Sequence, residues 1–238
     1  KILIITDIHA NLRALEAVLH RFEDADEIWC LGDIVEIGPC PSACIDLVRS
    51  TCQYVVKGNH DASFVDFDPV TAPDGWNGWE HHRATSEQLR YLDNLPESVH
   101  AEADGRSFLL VHGSPKDPLT GRLAPGMDGD SLLQASRSGR DGVLSGHTHV
   151  AMIETVEDRW VVNAGTVGQP RDADNRAQYM ILDNGAFSYH RVPYDLDALE
   201  RDYRDSTMPE SVREEWIRNA REGYVPRHGV TKGPLSEA

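Results

Sequence analysis

The chain opens with residues 1–9, KILIITDIH, an apolar run that ends in two polar side chains. A continuous apolar run rich in isoleucine is typical of a fully buried strand in an α/β sheet. Asp7 and His9 follow this run directly, and ligands collect at the carboxyl ends of strands in such sheets. The opening stretch therefore predicts an α/β fold and the sheet edge where a site should lie.

Four more polar clusters follow apolar, strand-like runs later in the chain. They are Gly32-Asp33, Gly58-Asn59-His60-Asp61, His112-Gly113 and Gly146-His147-Thr148-His149. Aspartate, histidine and asparagine side chains, offered from several strand ends, suit divalent transition metals of borderline softness. Together the five clusters predict a hydrolytic centre with two metal ions.

Strands and helices should alternate between these clusters, with strands at 27–31, 53–57, 107–111 and 142–145. Asn11 is a good N-cap for an amphipathic helix, and Pro41 suits the first turn of a second helix. A third helix, with Leu89, Leu92 and Leu95 on one face, should end at Pro96. This βαβαβ start implies parallel strands joined by right-handed crossovers.

After His149 the pattern predicts antiparallel hairpins, because apolar or alternating runs are separated by turn residues. These runs are residues 152–156, 160–163, 178–182 and 187–192. Two helices, near 196–203 and 210–221, should close the fold. We expect one domain over residues 1–225 and a frayed polar tail over 226–238.

In this order, the five clusters resemble the signature of the calcineurin-like metallophosphoesterase superfamily. Residues 163–171, NAGTVGQPR, are similar to a stretch in its small bacterial and archaeal phosphodiesterase-like branch. The resemblance covers residues 1 to about 192. It implies a four-layer αββα sandwich, in which helices flank two stacked mixed β-sheets and the metals lie at one edge.

The resemblance also implies a role for each ligand-type residue. The first metal would be held by Asp7, His9 and His149, and the second by Asn59, His112 and His147. Asp33 would bridge both ions. The implied reaction is hydrolysis of a phosphate ester or anhydride by a metal-bridging hydroxide. Manganese, iron, zinc or nickel could fill the site, since residue types do not decide among them.

Four further residues are candidates for catalysis or substrate binding. The family pattern implies that His60 gives a proton to the leaving oxygen and that Asp61 orients its ring. Arg171 suits a phosphate clamp because its fork matches phosphoryl oxygens, and a salt bridge to a neighbouring aspartate is the alternative. Asn11 could contact substrate, although its position favours a helix cap.

The residues after Asp33 narrow the substrate class. Protein serine/threonine phosphatases of the superfamily follow the bridging aspartate with an Asp-Arg-Gly run, whereas residues 34–38 here read IVEIG. The arginine that would hold a phosphoprotein's phosphate is missing, so we expect a small phosphodiester or nucleotide-type substrate. A dinucleoside polyphosphate hydrolase is an alternative, and the choice between monoester and diester stays open. Glu36 adds a carboxylate that we expect to repel multiply charged substrates.

Composition excludes some partners. The net charge of −16 and a pI near 5.0 disfavour a nucleic-acid-binding protein or nuclease, which needs a basic footprint. No stretch is long and apolar enough for a membrane span, so we expect a cytoplasmic protein; the oligomeric state is not predicted.

Residues outside the five clusters have less specific expected roles. We expect the four cysteines to be reduced, packed thiols. Trp76, Trp79, His81 and His82 are expected to pack or to lie at a rim. The alternative to an enzyme is a non-catalytic interaction module on the same scaffold. Such a module would tolerate the loss of metal ligands, but no metal-ligand residue is missing from this sequence.

Overall fold

Two five-stranded sheets form the centre of the computed structural model, which describes residues 1–22, 24–67, 83–137 and 141–223. In chain order the strands are β1 (Ile2–Ile5), β2 (Glu27–Cys30), β3 (Tyr54–Val55), β4 (Ser98–Ala103), β5 (Arg106–Val111), β6 (Gly142–Ser145), β7 (Met152–Val156), β8 (Arg159–Asn163), β9 (Ala177–Asp183) and β10 (Ala186–Val192). The first sheet has the order β10-β9-β1-β2-β3 and the second β4-β5-β6-β8-β7.

Helices connect and flank these strands. They are α1 (Leu12–Arg21), α2 (Pro41–Thr51), α3 (Asn59–Val65), α4 (Ser86–Asp93), α5 (Gly129–Ser136), α6 (Leu196–Arg204) and α7 (Glu210–Glu222). Asn11 caps α1 as predicted, since its side chain accepts a hydrogen bond from the Ala14 amide. Pro41 begins α2 in the first turn, where its missing N–H costs nothing.

Both sheets are mixed, which confirms the predicted αββα sandwich. In the first sheet β1 pairs in parallel with β2 and antiparallel with β9, and in the second β6 pairs in parallel with β5 and β8. Alternation along β1 sends Ile4 into an apolar layer between the sheets, with Trp29 and Phe108. Ile5 faces the other way and packs against the flanking helices, for example against Leu15.

Two details differ from the sequence predictions. Strand β4 was not predicted; it pairs antiparallel with β5 at the edge of the second sheet, and its exposed polar residues give no continuous apolar signal. Helix α4 ends at Asp93 with Asn94 as its C-cap, so it stops before Pro96. The predicted hairpins β7–β8 and β9–β10 are present.

No helix within the described ranges combines the length and apolar character that a membrane crossing would require. The predictions for Trp76, Trp79, His81 and His82, and for the tail over 226–238, concern residues outside those ranges. The four cysteines, Cys30, Cys40, Cys44 and Cys52, are free thiols as predicted.

Candidate metal centre

Loops at the strand ends bring all seven predicted ligands to one edge of the sandwich. Asp7 and His9 follow β1, Asp33 follows β2, Asn59 begins α3, His112 follows β5, and His147 and His149 follow β6. Five of them have left-handed backbones, with φ between 48° and 66°: Asp7, His9, Asp33, His147 and His149. Left-handed non-glycine residues cost energy and cluster at functional sites, so this edge carries local strain that the surrounding fold must offset.

Asp7, His9 and His149 form the first half of the centre. The Asp7 Oδ1 lies 3.1 Å from the His149 Nε2 and 3.9 Å from the His9 Nε2. The other carboxylate oxygen, Oδ2, accepts hydrogen bonds from the Thr6 hydroxyl (2.7 Å) and the His147 amide (3.0 Å). Asp7 therefore has one oxygen fixed by the fold and turns the other towards the two imidazoles.

The two imidazoles of this half present lone pairs to each other. His149 Nδ1 donates to the Gln169 carbonyl at 2.8 Å, and His9 Nδ1 donates to the Val35 carbonyl at 3.3 Å. Burial is the main cause that lowers the pKa of both rings, and neighbouring positive charges lower it further. Both rings are therefore neutral, and each Nε2 is a hydrogen-bond acceptor. These two Nε2 atoms are 3.1 Å apart, and the buried Asp7 Oδ1 beside them has no hydrogen-bond partner. Converging buried acceptors of this kind are suited to holding a cation among them.

Asn59, His112 and His147 form the second half. The Asn59 amide oxygen is 3.1 Å from His112 Nε2 and 2.8 Å from His147 Nδ1. His112 Nδ1 donates to the Leu31 carbonyl at 2.7 Å, which fixes the ring and aims Nε2 into the site. Burial lowers the pKa of His112, but the Asp33 charge and hydrogen bond outweigh it and raise that pKa to about 10. This half of the site therefore also favours positive charge.

Asp33 lies between the halves. Its Oδ2 is 3.2 Å from His112 Nε2 and 3.8 Å from His9 Nε2, while its Oδ1 accepts a hydrogen bond from the His60 amide at 2.9 Å. The close approach of Gly58 supports this placement, because a Cβ there would meet Asp33 Oδ1 at 2.0 Å. One carboxylate oxygen thus faces imidazoles of both groups.

The chemistry of these donors fits two divalent metal ions. There are two groups of buried or half-buried ligand residues, Asp7–His9–His149 and Asp33–His112–His147. Within each group, one ligand atom from every residue lies within 4.8 Å of the others. Carboxylate, imidazole and amide donors suit transition metals of borderline softness. A donor atom of His60 also lies within 4.8 Å of donor atoms of His9 and Asp33.

The structure corrects the expected partner of Asp61. Its buried carboxylate accepts hydrogen bonds from the backbone amides of Asp33 (2.8 Å), Ile34 (2.8 Å) and Gly58 (2.9 Å). Asp61 therefore holds the two loops that carry Asp33 and Asn59, and it does not orient the His60 ring. It lies at N3 of α3, where its carboxylate completes a capping box.

Glu36 is the carboxylate that orients His60. One Glu36 oxygen forms a hydrogen bond with His60 Nδ1, and the other accepts from the Ser63 hydroxyl at 2.9 Å. Burial lowers the pKa of His60, but this bond and the charges of Asp33 and Glu36 raise that pKa to about 9. Glu36 and Ile37 have left-handed backbones, with φ of 66° and 75°. This conformation is an outlier for Ile37, because its side chain is β-branched. Glu36 is 2% exposed, so it does not present the free negative charge expected from sequence.

Arg171 lies at the first half of the centre. Its Nη2 is 3.3 Å from His149 Nε2 and donates to the Gln169 side-chain oxygen at 2.9 Å. The neighbouring aspartates contact other arginines, since Asp172 pairs with Arg191 and Asp174 with Arg176. These contacts favour a site position for Arg171 over the alternative salt bridge.

Asn11 belongs to the fold. Besides capping α1, its side-chain nitrogen donates to the Gly168 carbonyl at 3.1 Å and approaches the Tyr194 hydroxyl at 3.4 Å. The residue is 3% exposed. Both ends of the amide are thus used within the protein, which supports the helix-cap interpretation.

Several known proteins are similar to this chain. The crystal structure of a metallophosphoesterase from Sphaerobacter thermophilus matches with a TM-score of 0.77 and 32% identity, over 90% of this chain and 97% of that one. An uncharacterised protein of Methanocaldococcus jannaschii is 30% identical over 237 residues, or 90% of this chain and 96% of its own length. The phosphodiesterase YfcE of Escherichia coli K12 is 25% identical over 204 residues, covering 79% of this chain and 90% of that protein.

The family model of the calcineurin-like phosphoesterase superfamily domain matches residues 1–185. This match covers strands β1 to β9 and every cluster that forms the centre. The chain belongs to the calcineurin-like phosphoesterase superfamily, and it is a hydrolase of phosphoric esters.

Proposed function

We propose that the protein hydrolyses phosphodiester or nucleotide-type substrates with two divalent metal ions held at this centre. The proposal is carried by the position of Asp33 between the two groups of ligands. Its Oδ2 lies 3.2 Å from His112 Nε2 and 3.8 Å from His9 Nε2. Asp7, His9 and His149 would hold one ion, Asn59, His112 and His147 the other, and Asp33 both. When bound, the pair would polarise phosphoryl oxygens and acidify water.

The chain's own residues supply the remaining chemistry. His60 is 30% exposed at its side chain, whereas the His9 and His112 side chains are fully buried, so its ring can reach a bound ester. It would give a proton to the leaving oxygen, and Glu36 would hold its ring in the orientation that this transfer needs. Arg171 lies 3.3 Å from His149 Nε2 and would hold a non-bridging phosphoryl oxygen.

Carbonyl groups of the loops would set the orientation of the ligands. Leu31, Val35 and Gln169 each accept the Nδ1 proton of one imidazole, so the opposite nitrogen of each ring points into the site. Fixing the tautomer in this way raises the metal affinity of an imidazole. The three backbone carbonyls would therefore fix the orientation of the proposed ligands.

The proposal is tested by loading purified protein separately with manganese, iron, zinc or nickel. Each form is assayed with bis(4-nitrophenyl) phosphate, 4-nitrophenyl phosphate and a dinucleoside polyphosphate. We expect faster turnover of the diester than of the monoester with at least one metal. A preference for the dinucleoside polyphosphate would instead support the alternative hydrolase, and no turnover with any metal would contradict the proposal.

A further inference from the structure

A cavity of about 360 Å³ is lined in part by the loop that follows the proposed ligand His112. We call it the basic pocket. Its lining includes Lys116 and Arg122, with Ser114, Ser131 and Gln134 as neutral polar neighbours, and no lining residue among those described is acidic. In a chain with 39 acidic and 23 basic side chains, such a lining marks a place for an anion.

The loop that carries the two cations is fixed in shape. The Gly113 amide donates to the Pro118 carbonyl at 2.6 Å, and the amides of Ser114 and Gly121 donate to the Asp117 carbonyl at 2.8 and 3.0 Å. A Cβ on Gly113 would meet the Asp117 carbonyl at 2.6 Å, so the loop folds closely over the end of β5. The pocket is therefore organised before ligand binding, which lowers the entropy cost of binding.

The same loop is tied to the metal centre. The Asn163 side-chain nitrogen donates to the Leu123 carbonyl at 2.9 Å and to the Gly146 carbonyl at 2.6 Å. Leu123 lines the pocket, and Gly146 begins the cluster that carries His147. Asn163 therefore ties the loop of the basic pocket to the loop that carries His147.

Both cations belong to the loop that follows His112, and they line the same pocket. Arg122 and Lys116 are exposed, and no carboxylate in the described ranges lies within 4 Å of either. Their charges are thus available to a ligand that also reaches the metals.

We propose that the basic pocket binds a second phosphoryl group of the substrate, attached beyond the phosphorus that is attacked. This inference rests on the proposed function and deepens it, because it favours nucleotide diesters that carry a further phosphate over simple diesters. Glu36 does not oppose such substrates, since its carboxylate is buried against His60 and Ser63. Lys116 and Arg122 supply a point charge and a planar fork for the phosphoryl oxygens.

Matched ligands test the pocket independently of turnover. Calorimetry with manganese-loaded protein compares thymidine 5′-phosphate with thymidine 3′,5′-bisphosphate, which differ only in the second phosphate. Two solvent-exposed cations should together favour the bisphosphate by about tenfold. Lys116→Ala/Arg122→Ala should reduce this preference to less than about twofold, whereas Arg49→Ala, which removes an exposed arginine on α2, should keep it. Equal affinities in the wild type, or a preference unchanged in the double variant, would overturn the inference.

Turnover provides the second readout and separates the two proposals. Thymidine 5′-(4-nitrophenyl phosphate) and its 3′-phosphorylated form share one leaving group. We expect kcat/KM to be about tenfold higher for the phosphorylated form, because its KM is lower. In the double variant the ratio should be near one. Failure of both substrates with every metal would contradict the proposed function, while the calorimetric comparison would still decide the pocket.

Discussion

His60 and Glu36 form a hydrogen-bonded pair beside the metal centre, with His60 Nδ1 bound to the buried Glu36 carboxylate. The histidine rings of His9 and His60 meet edge to face, with their centroids 4.9 Å apart. The His60 ring is thus held between a carboxylate and a proposed metal ligand. Under the proposed function, its other nitrogen would face the substrate.

His60→Ala should separate metal binding from proton delivery. Both metals should stay bound, because Asn59, His112 and His147 remain. Turnover of a diester with an alkoxide leaving group should fall by about 10²–10⁴-fold, the range for loss of a general acid. A nitrophenolate leaving group needs little protonation, so that diester should slow much less.

The measurement is the ratio of the two rates on one variant, with metal content determined in parallel. His100→Ala, which removes an exposed histidine on β4, serves as control. Loss of a metal, or equal slowing of both substrates, would show that His60 is a ligand or a transition-state clamp.

Glu36→Gln should act through His60. The neutral amide keeps the size of the side chain but weakens the bond to His60 Nδ1, so turnover of the alkoxide ester should fall about tenfold or more. In the His60→Ala background the same change should have little additional effect, since its partner is absent. A double-mutant cycle measures this coupling, and independent, multiplicative losses would rule out a positioning role for Glu36.

Asp33→Asn should be the most damaging single change to the centre. The substitution removes the negative charge that faces both imidazole groups, so at least one metal should be lost and hydrolysis nearly abolished. The fold should persist, because an amide oxygen can still accept the hydrogen bond from the His60 backbone. Metal analysis and circular dichroism test this together; two bound ions with normal turnover would refute the bridging role.

Asp61→Ala should destabilise the fold and only indirectly reduce activity. It leaves the buried amides of Asp33, Ile34 and Gly58 without their acceptor, and each unpaired donor costs about 1–3 kcal/mol. We expect the free energy of unfolding in urea to drop by at least about 2 kcal/mol. Asp66→Ala, at the exposed end of the same helix, should change it by less than about 0.5 kcal/mol. Equal stability of the two variants would exclude the loop-holding role of Asp61.

Much of the fold and centre could be predicted from sequence because each ligand follows an apolar run. Asp7, Asp33 and His112 were placed by the rule that strand ends share one sheet edge, and the structure brings them together. The edge strand β4 lacked an apolar run and was missed. Its pairing with β5 depends on contacts along the sheet that no local pattern reveals.

The partners of the catalytic candidates could not be predicted. Glu36 and His60 are separated by 24 residues in the sequence. Glu36 lies in a left-handed turn, and the sequence of this turn has no hydrophobic periodicity that would predict the contact. Asp61 was expected to bind its neighbour His60, but the start of α3 turns its carboxylate towards backbone amides. Lys116 and Arg122 lie in an irregular loop, so their shared pocket emerged only from the three-dimensional structure.

Titration of metal-depleted protein with Mn²⁺ tests the central claim most directly. Bound metal per chain and hydrolysis of bis(4-nitrophenyl) phosphate are measured on the same samples. The account predicts no hydrolysis without metal, full activity only when two ions are bound per chain, and loss of the second ion in Asn59→Ala. Undiminished hydrolysis in metal-free protein, or full activity with a single bound ion, would contradict it.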